Sequence, residues 1–169
     1  CNFEGVDLSR LADRIGTPCH VYSADAIRRR INELQLALRG VDAQICFAVK
    51  ANPLRAILEL MAAAGIGADI VSAGELRRAL DAGIDPGLIV FSGVGKTAEE
   101  MSSAIVARIA RFNVESRDEL ETLQQVAAKH GQIVDVAVRI NPDVDALTHA
   151  KISTGKSENK FGVSIPEAL

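Results

Sequence analysis

The run Cys46-Phe47-Ala48-Val49-Lys50-Ala51-Asn52 carries a primary amine to the end of a short apolar stretch, and Pro53 follows at once. Cys46 to Val49 reads as a buried strand, and Pro53 with the restricted residue before it ends that strand and opens a helix. Lys50 therefore stands at a strand exit. There its apolar stem can pack among neighbours while the amine points beyond the strand ends, where partial desolvation favours the neutral, nucleophilic form. That is what a lysine needs in order to condense with a carbonyl carbon as a Schiff base. Taken alone, the segment also fits a surface lysine that lays its stem on apolar neighbours and keeps its charge in water.

The elements that must position this lysine form a regular pattern. Apolar strand candidates begin near Cys46, Asp69, Leu88, Arg111 and Val134, at steps of 23, 19, 23 and 23 residues. Between them lie amphipathic helical patterns near 54–64, 74–82, 97–108 and 117–130, entered through cap or turn residues such as Thr97 and Ser116. Upstream, a short strand candidate at His20 to Tyr22 precedes helical spacing of Ile27, Ile31, Leu34 and Leu38. The short connections predict parallel strands with right-handed helical crossovers.

Two α/β architectures meet that description, an open doubly wound sheet and a (β/α)8 barrel of the TIM type. A nucleotide-binding open sheet carries glycines after its first strand, whereas this chain has Lys50-Ala51-Asn52-Pro53 there. The barrel is favoured. A complete barrel takes about 250 residues and eight units, so a chain of 169 residues with five strand candidates predicts an incomplete one, read as a fragment with two unpaired sheet edges.

Barrel chemistry gathers at the C-terminal ends of the strands. That rim presents Lys50, then Asp69 and Ser72, then Ser92-Gly93, then Glu115-Ser116, then Arg139 and Asn141. Helix capping accounts for Ser116 and also for Ser72, and Glu115 fits a solvated turn. Asp69 and Arg139 each interrupt an apolar strand, and a buried charge there requires a partner.

Composition narrows the function classes. With 19 basic against 22 acidic residues and no basic block longer than Arg28 to Arg30, no nucleic-acid or anionic-membrane surface is expected. No apolar run approaches the roughly 18 residues of a membrane span, and the first residues lack a secretory pattern, so a cytoplasmic protein is expected. Cys1, Cys19 and Cys46 are widely spaced without a C-x-x-C pair, which predicts buried or free thiols and no metal site. Gly95-Lys96-Thr97 and Gly155-Lys156-Ser157 imitate the end of a phosphate-binding loop, but Val90 and Ala150 stand where its first glycine must be. The first is read as a helix entry capped by Thr97.

The segment from Arg139 to Gly162, R-I-N-P-D-V-D-A-L-T-H-A-K-I-S-T-G-K-S-E-N-K-F-G, is long and polar for a strand-to-helix connection, which favours a functional loop. Together with A-V-K-A-N (48–52), G-A-D-I-V-S-A-G-E-L (67–76), F-S-G-V-G-K-T (91–97), F-N-V-E-S (112–116) and L-A-D-R-I-G-T-P-C-H-V-Y (11–22), it resembles the fold-type III pyridoxal-phosphate (PLP) decarboxylases over essentially the whole chain. The T-H-x-x-I-S-T-G stretch at 148–155 is similar to the branch of that family that acts on meso-2,6-diaminopimelate.

The resemblance implies a PLP-binding barrel over residues 25–169 and an N-terminal segment, 1–24, that packs with a C-terminal β domain in the full-length family. It implies a cytoplasmic homodimer that decarboxylates meso-2,6-diaminopimelate to L-lysine, the last step of lysine biosynthesis. Lys50 then matches the catalytic lysine that forms the Schiff base with PLP, while Asp69, Ser72 and Arg139 match cofactor-site positions. His149, Ile152, Ser153, Thr154 and Gly155 match a loop near the amino-acid substrate. Arg139 is expected to supply positive charge near the cofactor's ring oxygen or an adjacent histidine. The family's stacking histidine, glycine-rich phosphate site and pyridine-facing glutamate come later than position 169, so these residues alone are expected to be inactive and to need the C-terminal part of the same protein. Ala150-Lys151, where the family commonly has Pro-Tyr, and Leu147, where it has a smaller or polar residue, depart from the pattern. Decarboxylation of another basic or carrier-bound amino acid, and a non-catalytic PLP-binding or association role, remain open alternatives.

Overall fold

The computed structural model describes residues 2–142 and 162–165, and the chain divides into two compact units, Cys1–Ala43 and Gln44–Leu169.

In the first unit, strands β1 (Asn2–Phe3) and β2 (Val6–Asp7) pair antiparallel around Glu4-Gly5. Both turn residues have positive φ, 51° and 80°, as a two-residue hairpin with the twist of its strands requires. Asp7 then caps helix α1 (Leu8–Ile15) by accepting from the Ser9 amide at 2.9 Å. Ser23 caps α2 (Ala24–Ala37) through the Ala26 amide at 2.8 Å. The strand expected at His20 to Tyr22 is absent: that stretch pairs with no other strand among the described residues, and an apolar alternation without a ladder partner does not make a sheet.

The second unit alternates strand and helix as the sequence predicts: β3 (Cys46–Ala48), α3 (Arg55–Ala63), β4 (Gly67–Ile70), α4 (Ala73–Asp81), β5 (Ile89–Phe91), α5 (Ala98–Ala107), β6 (Arg111–Val114), α6 (Arg117–Lys129) and β7 (Val136–Val138). The five strands form one parallel sheet in the order β3-β4-β5-β6-β7. That order decides between the two architectures. A doubly wound sheet reverses direction at a switch point, whereas a barrel adds each strand beside the last. Helices α3 to α6 likewise pack each against the next. The fold is a partial (β/α) barrel.

The apolar face of the sheet builds the core against these helices. Ile70, Ile89, Phe91, Phe112 and Val114 are buried, as are Leu58, Met101, Ile105 and Leu123 from the helices. The rings of Phe91 and Phe112 stack with centroids 6.0 Å apart, joining β5 to β6. Gly67 opens β4 where no larger residue fits, because a Cβ would lie 2.0 Å from the carbonyl oxygen of Leu88.

Three successive helices enter through S/T-x-x-E, and each glutamate does something different. Ser72 accepts from the Glu75 amide at 3.2 Å, while the Glu75 carboxylate takes the Val71 amide at 2.8 Å. Thr97 and Glu100 form a reciprocal capping box, and the other Glu100 oxygen reaches back to the Ala73 amide at 3.0 Å. Ser116 caps α6 through the Glu119 amide, and the Glu119 side chain goes to Lys96. The last two carboxylates therefore tie their own unit to the one before.

After β7 the backbone continues as β8 (Ile140–Asn141), which pairs in parallel with β9 (Val163–Ser164). Gly162, with φ +80°, makes this approach possible, since a Cβ there would lie 2.7 Å from the Arg139 carbonyl oxygen. His149, Ile152, Ser153, Thr154 and Gly155 lie outside the described residues.

Candidate active site

Pleating and register together determine which side chains share a face. Asp69 is opposite Val90, Val90 is opposite Arg111, and Asn113 is opposite Ala137. Side chains two apart on a strand point the same way. The face of Asp69 is therefore also that of Ser92, Asn113, Glu115, Ala137 and Arg139. These six residues, joined by Lys50, Gly93 and Val138, line one cleft of about 450 Å³ at the C-terminal ends of the strands. Its size falls in the range of small-molecule sites, about 300–1,000 Å³.

Lys50 lies in a single 3-10 turn, Val49–Ala51, directly after β3. Val49 is fully buried and anchors the turn, so the lysine is held at the strand exit that the apolar run predicts. Lys50 is exposed among the described residues.

A chain of hydrogen bonds crosses three strands. Ser92 Oγ donates to Asp69 Oδ1 at 2.5 Å, and Asn113 Nδ2 donates to Ser92 Oγ at 2.9 Å. Asp69 thus finds the partner that its place in an apolar strand demands. Arg139 finds its own in Glu115, whose carboxylate is buried to 3% exposure and accepts from Nη1 at 3.1 Å on both oxygens. Glu115 is not the solvated turn residue it resembles in sequence. Its backbone amide is tied in turn to Glu119 Oε2 at 3.4 Å.

Of the site residues expected from sequence, Lys50, Asp69 and Arg139 converge on the cleft. Ser72 is the N-cap of α4 and is not among the lining residues. Asn113 is a contributor that sequence reasoning missed. Its signal was a polar residue between the apolar Phe112 and Val114, the same alternation that puts Asp69 on the inner face. Among the described residues no group of His, Cys, Asp or Glu side chains is arranged to hold a metal ion, and no helix is long and apolar enough to cross a membrane.

The lining suits a carbonyl compound with anionic groups. Lys50 offers a primary amine and Arg139 a charge-balanced guanidinium, with hydroxyl and amide groups between them. Comparison with known proteins agrees. Residues 24–169 match the family model described as pyridoxal-dependent decarboxylase, pyridoxal binding domain. The chain is 52% identical over 169 residues to the diaminopimelate decarboxylase of Zymomonas mobilis, and 53% identical over 165 residues to that of Pseudomonas aeruginosa. Each alignment takes in 98% of this chain and 40% of the relative, so the chain spans about 40% of the length of the curated proteins it matches. The crystal structure of diaminopimelate decarboxylase from Helicobacter pylori complexed with L-lysine superposes with a TM-score of 0.92 at 45% identity, over 96% of this chain and 41% of that one. The chain belongs to the pyridoxal-dependent decarboxylases, and residues 24–169 match their pyridoxal-binding domain as a partial barrel.

Proposed function

We propose that the chain is the lysine-bearing part of a PLP-dependent decarboxylase that converts meso-2,6-diaminopimelate to L-lysine, acting with the rest of the same protein as a cytoplasmic homodimer. The observation that carries this reading is the convergence of Lys50, Asp69 and Arg139 on one cleft. Identity near 50% to diaminopimelate decarboxylases supports the substrate.

The residues present fit the cofactor. Lys50 Nζ makes no hydrogen bond or ion pair to the described residues, so its amine is available to a ligand aldehyde. It would hold the cofactor covalently. When bound, PLP supplies an electron sink for the pair left on the α-carbon as carbon dioxide departs. The chain's own groups prepare the surroundings. Glu115 fixes Arg139 so that the guanidinium presents positive charge to an anionic oxygen in the cleft. Asp69, oriented by Ser92 and Asn113, supplies a fixed negative wall. The Lys50 amine, when not bonded to the cofactor, would be a group in this cleft able to carry a proton.

The test is covalent trapping in the full-length protein. Limiting PLP followed by borohydride reduction and peptide mapping is expected to label Lys50 among the six lysines of this chain, Lys50, Lys96, Lys129, Lys151, Lys156 and Lys160. Carbon dioxide release is expected from meso-2,6-diaminopimelate and not from ornithine or arginine. Scattered labelling, or equal turnover of the other amino acids, would overturn the reading.

A further inference from the structure

Lys96 does not reach solvent. Its side chain is 1% exposed, and Nζ donates to the Gly93 carbonyl at 2.8 Å, the Asn113 carbonyl at 2.7 Å and Glu119 Oε1 at 2.5 Å. The ammonium's three donors are fully used. The ring of Phe91 lies alongside, its centroid 5.6 Å away.

A stable core here does not require an ion pair. A buried ion pair is often matched or surpassed in stability by apolar residues of similar volume, and Phe91 already offers Lys96 an apolar surround. The distinguishing property of the ammonium is that one atom gathers two backbone carbonyls. Those carbonyls belong to Gly93 and Asn113, both of which line the cleft. The backbone ladder between β5 and β6 ends at the pair Phe91 and Phe112, one residue short of Ser92 and Asn113. Lys96 crosslinks the two strands where the ladder stops. On one side of the crosslink is the chain Asn113 to Ser92 to Asp69. On the other is Glu119, whose second oxygen holds the amide of Glu115, the partner of Arg139.

We infer that Lys96, held by Glu119, is a positioning residue for the cleft, replacing the missing rungs between β5 and β6 and setting the spacing between the Asp69 and Arg139 sides. The inference rests on the function proposed above, because the cleft whose spacing it sets is the PLP site of that reading.

The experiment uses the full-length protein. The single change Lys96→Met strands the Glu119 charge in the core and endangers the fold, so the informative variant pairs Lys96→Met with Glu119→Leu. Lys96→Arg is the second variant, which keeps the charge but has a planar fork that cannot converge on one point. Without cofactor, the double variant is expected to unfold at or above the wild-type temperature. Its affinity for PLP is expected to fall about tenfold and its kcat about 10- to 100-fold, the scale set by a misplacement of about 1 Å. Lys96→Arg is expected to move the same way. Wild-type affinity and kcat in both folded variants would overturn the inference and leave the pair a packing feature. Failure of the wild-type protein to attach PLP at Lys50 would instead refute the proposed function, and the inference with it.

Discussion

Nη1 of Arg139 lies 3.1 Å from both carboxylate oxygens of Glu115, so a half-exposed cation on β7's extension is fixed by a buried anion at the end of β6. The isosteric change Glu115→Gln keeps the shape and removes the charge. Because the guanidinium is 43% exposed, screening limits the expected loss to about 1 kcal/mol of stability. The effect on catalysis is expected to be larger, about tenfold in kcat/KM, as Arg139 gains freedom to leave the cleft wall. Urea unfolding and steady-state kinetics on the full-length variant measure the two separately.

Gly67 admits no side chain. A methyl group placed 2.0 Å from the Leu88 carbonyl oxygen and 2.9 Å from Gln44 Nε2 must push β4 away from the backbone that enters β5. Gly67→Ala is expected to destabilise the fold by about 3 kcal/mol. A loss of less than a third of that in the unfolding free energy from urea titration would mean the strands slide apart freely.

Glu100 provides a pH-dependent contact. The amide of Ala73, then that of Thr97, holds its carboxyl below the ordinary carboxylate value of 4.5. A carboxylate depressed in the folded state contributes stability above its ordinary value and loses it as pH falls through the folded one. Glu100→Gln is therefore expected to cost about 1 kcal/mol at neutral pH. The gap to wild type should narrow as pH falls below 4.5. A gap independent of pH, read from denaturant unfolding across the acid range, would refute this.

The thiols are expected to react unequally. Burial pushes the Cys46 thiol above its ordinary value of 9.0, and the Asp69 charge adds to this against the opposing Gln44 hydrogen bond and Arg111 charge. Cys19 is exposed. Iodoacetamide near neutral pH should modify Cys19 first, with Cys46 catching up only as pH rises well into the alkaline range. Peptide mapping over time decides it.

The strands and helices of the second unit were legible because each apolar run is short and bounded by a cap, and the helices begin within one residue of where Thr97 and Ser116 put them. The partial barrel was legible from the residues after Val49, a lysine and a proline instead of glycines. Lys96 was not. Its sequence context predicts the capping box at Thr97 and Glu100 correctly, but burial of the lysine depends on Glu119, 23 positions later, arriving from the first turn of α6. Local pattern carries no record of that meeting. Glu115 was misread for the same reason, since its partner is on the next strand. The strand expected at His20 to Tyr22 shows the reverse error, a favourable local composition that meets no pairing partner among the described residues.

The cleft's membership is set by parity within each strand and not by the distance between strands. Crossovers of different length, such as the longer one between β6 and β7, leave Asp69, Ser92, Asn113 and Arg139 facing the same way. A lineage carrying this barrel can lengthen or shorten its helices with little effect on the chemistry. Deleting one residue inside β6 would instead turn Asn113 and Glu115 toward the helices and bring Phe112 and Val114 inward, exchanging the polar and apolar faces of that strand. Natural length variation should therefore collect between the strands, with the strands themselves acting as its fixed reading frame.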